Sequence, residues 1–301
     1  MVTKEEVTET FRKLQDTICT ALVHADGKAV FKEEHWQRHG GGGGRTRVMQ
    51  NGNVIEKGGV NFSAVHGTLP ESLRKALEVE NPDFFATGVS IVMHPSNPWV
   101  PIIHMNVRYF EIENEVSWFG GGIDLTPHYV IDKDARFFHT KLKETCDKFS
   151  TAYYPTFKKE ADEYFFIKHR DETRGIGGIF FDKLKENTLY SKRDNFELVR
   201  AIGNQFAPLY IQLINNNRDR SFSEQEKEWQ LVRRGRYVEF NLVYDKGTRF
   251  GLETDGRTES ILMSLPPLAS WLYDFKPAID SEEARTLGLL KKGIDWVSNK
   301  L

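Results

Sequence analysis

Residues 103–112 alternate in character: His104, Asn106 and Arg108 fall on one side of an extended chain, and Met105, Val107 and Tyr109 on the other. A strand of this kind must bury one face, while a cation, an amide and an imidazole line up on the opposite one. After a short acidic connection comes Phe119-Gly120-Gly121-Gly122-Ile123-Asp124-Leu125-Thr126-Pro127. This run is near enough to form an antiparallel neighbour and to set Asp124 beside the polar face.

Helices must then cover the apolar side. Val7, Phe11, Leu14, Ile18 and Leu22 recur at spacings of four, three, four and four, which predicts an amphipathic first helix. Residues 70–77 read as a short helix, and residues 84–93 as a strand ending at His94-Pro95 and the turn-rich Ser96-Asn97-Pro98. Ala135, Phe138, Leu142, Cys146 and Phe149 mark a helix over 134–149. Pro155 opens another that runs to His169, so that His139 and His169 stand on two helices. A further helix is expected over 194–214, and Ser223 with Glu226 forms a capping-box pattern ahead of Arg233-Arg234-Gly235-Arg236. Asp280 and Glu283 would cap the last helix.

Residues 237–244 alternate as a strand, Asp245-Lys246-Gly247-Thr248 supplies a turn, and 249–254 returns. A long hairpin is expected there, with 261–266 as an additional strand. The hairpin is apolar on both faces, as a strand pressed against a second subunit would be. No internal repeat or low-complexity linker divides the chain, so residues 1–301 read as one α+β domain, a largely antiparallel sheet with helices packed against it.

Composition narrows the function classes. With 41 Lys and Arg against 43 Asp and Glu, a formal charge of −2, no global field favours nucleic acid or an anionic membrane. Cys19 and Cys146 are too few for a disulfide framework and lack metal-type spacing. Met1-Val2-Thr3-Lys4-Glu5-Glu6 has neither a signal core nor transit character. No apolar run approaches the ~20 residues of a membrane span, so a cytoplasmic protein is expected.

The polar strand is the candidate site, because an aligned Arg, Asn and His can hold a carboxylate and move a proton. A solvated outer face accounts for the same pattern. Arg174-Gly175-Ile176-Gly177-Gly178-Ile179-Phe180-Phe181 lacks the Lys-Ser or Lys-Thr ending of a phosphate loop and precedes a strand, which speaks against nucleotide binding. Gly40 to Gly44 reads as a flexible loop or lid hinge, with Arg45 and Arg47 beside it as possible anion clamps or plain surface residues. His94, His104, His139 and His169 fall on different elements. They could converge on a divalent metal, but spacing alone does not show it.

The strings themselves carry more. His94-Pro95, Asn97-Pro98, His104-Met105-Asn106-Val107-Arg108-Tyr109-Phe110-Glu111 and Trp118 through Pro127 closely resemble the oxygen-dependent coproporphyrinogen oxidases. So do Tyr164 through Arg170, Arg174 through Asp182 and Arg233 through Pro266, which extends the resemblance over nearly the whole chain. It implies a flat antiparallel sheet of seven strands with helices on both sides, and a homodimer built partly through residues 237–273. The implied substrate is coproporphyrinogen III and the oxidant molecular oxygen. Protoporphyrinogen IX, carbon dioxide and hydrogen peroxide are the products, and no organic cofactor is required.

By the same resemblance His104 is a proton donor, Ser90 and Asn106-Val107-Arg108 are substrate contacts, and Asp124 is the acid facing the pyrrole nitrogens. Arg174 is a basic substrate-binding position, and Asp255-Gly256-Arg257 a further contact, with Asp255 standing where bacterial relatives have glycine. Arg108, Arg174 and Arg257 suit four propionates on an apolar macrocycle. The bacterial branch implies a divalent metal at His94, His104, His139 and His169, in competition with the proton-donor role of His104. A noncatalytic tetrapyrrole carrier using the same arginines, or a homomeric structural protein built on the hairpin, are the alternatives from other classes.

Overall fold

The polar-faced strand lies near one end of a seven-stranded antiparallel sheet. The computed structural model describes residues 2–253 and 256–298. Six strands follow one another as neighbours: β1 (Lys32–Gln37), β2 (Gly42–Gln50), β3 (Ile55–Thr68), β4 (Asp83–Pro95), β5 (Ile102–Ile112) and β6 (Val116–Thr126). β7 (Phe166–Ile167) and β8 (Glu172–Thr173) form a separate small ribbon, after which β9 (Gly177–Leu184) pairs with β6 and closes the order β1-β2-β3-β4-β5-β6-β9. Short connections join the first six strands in sequence order, so each lies beside its sequence neighbour.

The Met105 side is the core. Val89, Ile91, Ile103, Met105, Val107, Tyr109, Ile123 and Ile179 are buried together with residues of α1 (Lys4–Asp26), α3 (Asp132–Asp147) and α5 (Lys192–Asn217). Helix α1 buries the expected Val7, Phe11, Leu14, Ile18 and Leu22; Thr3 caps its start and Gly27, at φ +75°, ends it. Each such side chain contributes about 1.5–3 kcal/mol by leaving water. α4 (Tyr153–Tyr164) and α9 (Glu282–Leu289) pack on this side as well, and α2 (Glu71–Leu77) lies between β3 and β4 in the chain. On the opposite face α6 (Glu224–Val243) sets Tyr237 against Val92 and Ile102, and Ser260 of α8 (Thr258–Leu262) bonds to Thr46.

The hairpin expected from Tyr237 onward is, as far as Glu253, a pair of helices instead. The Ser223–Glu226 capping box starts α6 as the sequence predicts, and the helix then runs on through Tyr237 and Phe240 to Val243. α7 (Lys246–Glu253) follows. Trp229, Arg233, Tyr237 and Phe240 are buried at helical spacing, a period that eight residues of apparent alternation obscure. Residues 261–266, expected as a strand, hold the end of α8 and a turn.

Three smaller differences bear on site residues. Helix α4 stops at Tyr164, so His169 lies in the turn between β7 and β8 rather than on a helix. The last helix is capped by Ser281, whose side chain accepts from the Ala284 amide, one residue beyond the expected Asp280. The five-glycine run is a hairpin tip that passes into β2. Gly42 takes φ +76°, and a Cβ there would meet the Ala64 carbonyl oxygen at 2.3 Å. Arg45 and Arg47 are engaged as well: both pair with Asp16, and Arg47 also with Glu33.

Candidate active site

Direct cross-strand partners project from the same face, so the sheet register lays out the polar side row by row. The central row runs Glu34, Thr46, Asn61, Ser90, Asn106, Gly122, Phe180 across all seven strands. On one side lies Gly59, Val92, His104, Asp124, Gly178, and on the other Ser63, Gly88, Arg108, Gly120. Small residues thus pave a floor from which His104, Asn106, Arg108 and Ser90 stand up. Asp124 lies beside the polar face as the sequence leads one to expect, and the register makes it the direct partner of His104.

Asp124 is 1% exposed. Its Oδ1 lies 2.8 Å from His104 Nδ1, and Arg174 Nη2 donates to both carboxylate oxygens at 2.7 and 2.8 Å. Burial pushes the carboxyl pKa up, but the Arg174 charge and the His104 hydrogen bond outweigh it and hold the group below its ordinary value. An ionised carboxylate only accepts, so Nδ1 carries the proton, and Nε2 holds the lone pair of the neutral ring. The His104 side chain is 20% exposed. The face therefore presents an imidazole backed by a buried anion.

Arg174 is itself 2% exposed. Its guanidinium carbon lies 4.3, 4.8 and 4.7 Å from the ring centroids of Phe165, Tyr237 and Phe240, and Nη1 donates to Asn241 Oδ1 at 2.9 Å. Three rings and one carboxylate compensate a cation that burial would otherwise disfavour.

The other expected residues are spread along the floor. Arg108 donates from Nη1 to Asn106 Oδ1 and from Nη2 to Asp182 Oδ1, both at 2.9 Å. Ser90 lies between Asn61 and Asn106 in the central row. Val107 points the other way and is fully buried in the core, so only its main chain adjoins this face. Arg257 stands at the far end, bonded to Ser260 Oγ at 3.1 Å and to the Glu34 carboxylate, and the Gly256 amide donates to Gly251 O at 2.8 Å. Asp255 lies outside the described residues.

The four histidines implied as a metal set are not brought together. His139 belongs to the core side, donating from Nε2 to Ile176 O at 3.0 Å and taking the Tyr154 hydroxyl on Nδ1 at 2.9 Å. That leaves it no lone pair for a metal. His94 is buried against Tyr237 and donates to Ser264 O at 2.8 Å. His169 lies at the surface between Tyr244 and Glu239. Among the described residues no group of three or more His, Cys, Asp or Glu side chains is placed to hold a metal ion.

A family model described as coproporphyrinogen III oxidase matches residues 6–296. The chain belongs to this family. Among its relatives, the oxygen-dependent coproporphyrinogen-III oxidase of Prochlorococcus marinus is 49% identical over 311 residues, covering 95% of this chain and 90% of that one. The chloroplastic oxygen-dependent coproporphyrinogen-III oxidase of Glycine max is 48% identical, over 95% of this chain and 77% of its own. Coproporphyrinogen-III oxidase 1, chloroplastic, of Arabidopsis thaliana is 47% identical with the same coverage. Among the described residues of this family member, no helix is long and apolar enough to cross a membrane.

Sequence reasoning missed the cage around Arg174. Tyr237 reads as strand; only a helical reading of 233–244 puts Tyr237, Phe240 and Asn241 on one face. Asp182, the partner of Arg108, lies within a matched string but carries no signal of its own.

Proposed function

We propose that this chain carries out the oxygen-dependent oxidative decarboxylation of two propionates of coproporphyrinogen III to vinyl groups, giving protoporphyrinogen IX in heme biosynthesis. The observation that carries this reading is the family match along residues 6–296. The polar floor gives it a chemistry.

For each side chain, a propionate plus O2 plus one proton yields a vinyl group, CO2 and H2O2. Two electrons leave as the carboxylate departs and a β-hydrogen is lost. O2 takes both electrons and two protons, one of them beyond the proton released from carbon. A group that moves protons at the ring is therefore needed. His104 can serve in this way, because Asp124 fixes its tautomer and stabilises the imidazolium when it forms. Because Asp124 is covered by His104 and Arg174, it acts on a bound pyrrole through the imidazole. Arg174 acts from beneath as counter-charge.

Arg108 and Arg257 hold propionates at the two ends of the floor, with Ser90, Asn106 and the main chain at Val107 between them, and Asp255 and Gly256 are further substrate contacts. Molecular oxygen is the co-substrate. The reaction needs neither an organic cofactor nor a divalent metal, and the protein works in the cytoplasm. The protein works as a homodimer joined through residues 237–273, a segment that exposes Leu242, Val243, Leu268, Trp271 and Tyr273.

The test is to incubate purified, chelator-treated protein with coproporphyrinogen III in air and under anaerobic conditions, then separate the oxidised porphyrins by fluorescence chromatography. Air-dependent formation of the divinyl product is expected. Binding without conversion, in air and with manganese added, would replace the enzyme by a tetrapyrrole carrier.

A further inference from the structure

Arg108 has an occupant. Its Nη2 donates to Asp182 Oδ1 at 2.9 Å, and the same oxygen accepts the Lys183 amide at 3.0 Å, so the carboxylate is fixed by its own strand as well as by the cation. Lys183 takes φ +51°, the left-handed backbone that turns β9 at this point. The guanidinium rests on the floor, where a Cβ on Gly120 would lie 2.7 Å from Arg108 Nε, and Phe180 flanks it at 6.0 Å. Both partners face solvent, with side chains 36% and 49% exposed.

We infer that Asp182 is an internal carboxylate that holds Arg108 in place until a substrate propionate displaces it, and that it thereby determines which rings are accepted. The inference rests on the proposed function, in which Arg108 binds a propionate.

Three features carry it. The pair is formed through one nitrogen and one oxygen, and it is half-exposed, so water screens it and it is weak. A propionate carried by a bound macrocycle brings the same chemical group, can use the guanidinium fork in bidentate fashion, and sheds water from the cation as the ring covers the floor. Exchange therefore favours a carboxylate-bearing ring. A ring lacking a carboxylate at this position has nothing to offer in exchange, so Asp182 keeps Arg108. Asp182 also leaves the guanidinium over Gly120 beside Asn106, on the floor that the ring would cover, so the exchange moves it little. Removing Asp182 takes away a competitor for the cation, which predicts tighter binding, the reverse of what damage to the fold would cause.

The experiment is a fluorescence titration with coproporphyrin III, the oxidised tetracarboxylate ring. It compares the wild-type chain with Asp182→Asn, Asp182→Ala, Arg108→Gln and the Arg108→Gln/Asp182→Asn double variant. Both Asp182 variants should bind about two- to fivefold tighter, the span of an exposed ion pair. Arg108→Gln should bind more weakly, and Asp182→Asn should change nothing in that background. Unchanged or weaker binding by both Asp182 variants overturns the inference, as does tightening that persists without Arg108. Undiminished binding by Arg108→Gln overturns the propionate role of Arg108 itself, and the inference with it.

Discussion

His104 and Asp124 face each other across adjacent strands, with His104 Nδ1 2.8 Å from Asp124 Oδ1 in a directly paired register position. β-sheet geometry makes the pair rigid, since neither side chain is carried by a loop. Arg174 holds the carboxylate from behind at 2.7 Å, so the anion that orients the imidazole is fixed from both sides.

Arg174 should matter for stability as much as for turnover. Arg174→Met leaves the Asp124 carboxylate buried without its counter-ion and should destabilise the protein by about 3–5 kcal/mol. Arg174→Lys keeps the charge but loses the planar contact with three rings and the shared bonds to Asp124 and Asn241, so it should also fall well short of wild type. Urea denaturation of the two variants checks this; equal midpoints for Arg174→Met and wild type would contradict it.

Acid should unfold the protein earlier than carboxylates alone require. Burial, with the nearby Arg234 charge, lowers the His94 pKa to about 3, and burial lowers that of His139 to about 3. The unfolded histidines take up protons near pH 6.5. Between about 6.5 and 3 the unfolded state thus holds more protons, and stability falls as pH falls. Each ring contributes at most about 1.4 kcal/mol per pH unit in that window. Urea midpoints at pH 7, 6 and 5 should decline steadily, and His139→Gln should flatten the slope.

Turnover should survive prolonged treatment with a chelator. His139 spends both ring nitrogens within the core, and His94 and His169 lie on elements that do not converge with it. Activity lost to EDTA and restored by manganese would contradict this placement.

Sedimentation at micromolar concentration should show a dimer. Trp271→Glu, placed on an exposed indole, should shift it toward monomer. A wild-type protein that sediments only as monomer would remove residues 237–273 as an interface.

Much of this was legible in the sequence, for reasons that differ by element. β5 and β6 announce themselves because a strand with one buried face has period two, and that period puts Asp124 beside the polar face; the pairing with His104 comes from the register. Helix α1 is equally plain from its apolar spacing. Residues 237–244 were not, because Tyr237, Glu239 and Asn241 alternate in polarity while the helix that contains them buries Arg233, Tyr237 and Phe240. That error hid the cage around Arg174, whose guanidinium anchors the Asp124 carboxylate. Asp182 was invisible for another reason: a half-exposed acid near a strand end carries no pattern, and only the register brings it to Arg108.

The most direct measurement is kcat/KM for coproporphyrinogen III in His104→Gln, Asp124→Asn and the double variant, with coproporphyrin III binding measured alongside. Each single change should lower kcat/KM by at least about a hundredfold, and the double variant should be little worse than the poorer single one, because the two side chains act as a unit. Near-wild-type turnover by Asp124→Asn would contradict it.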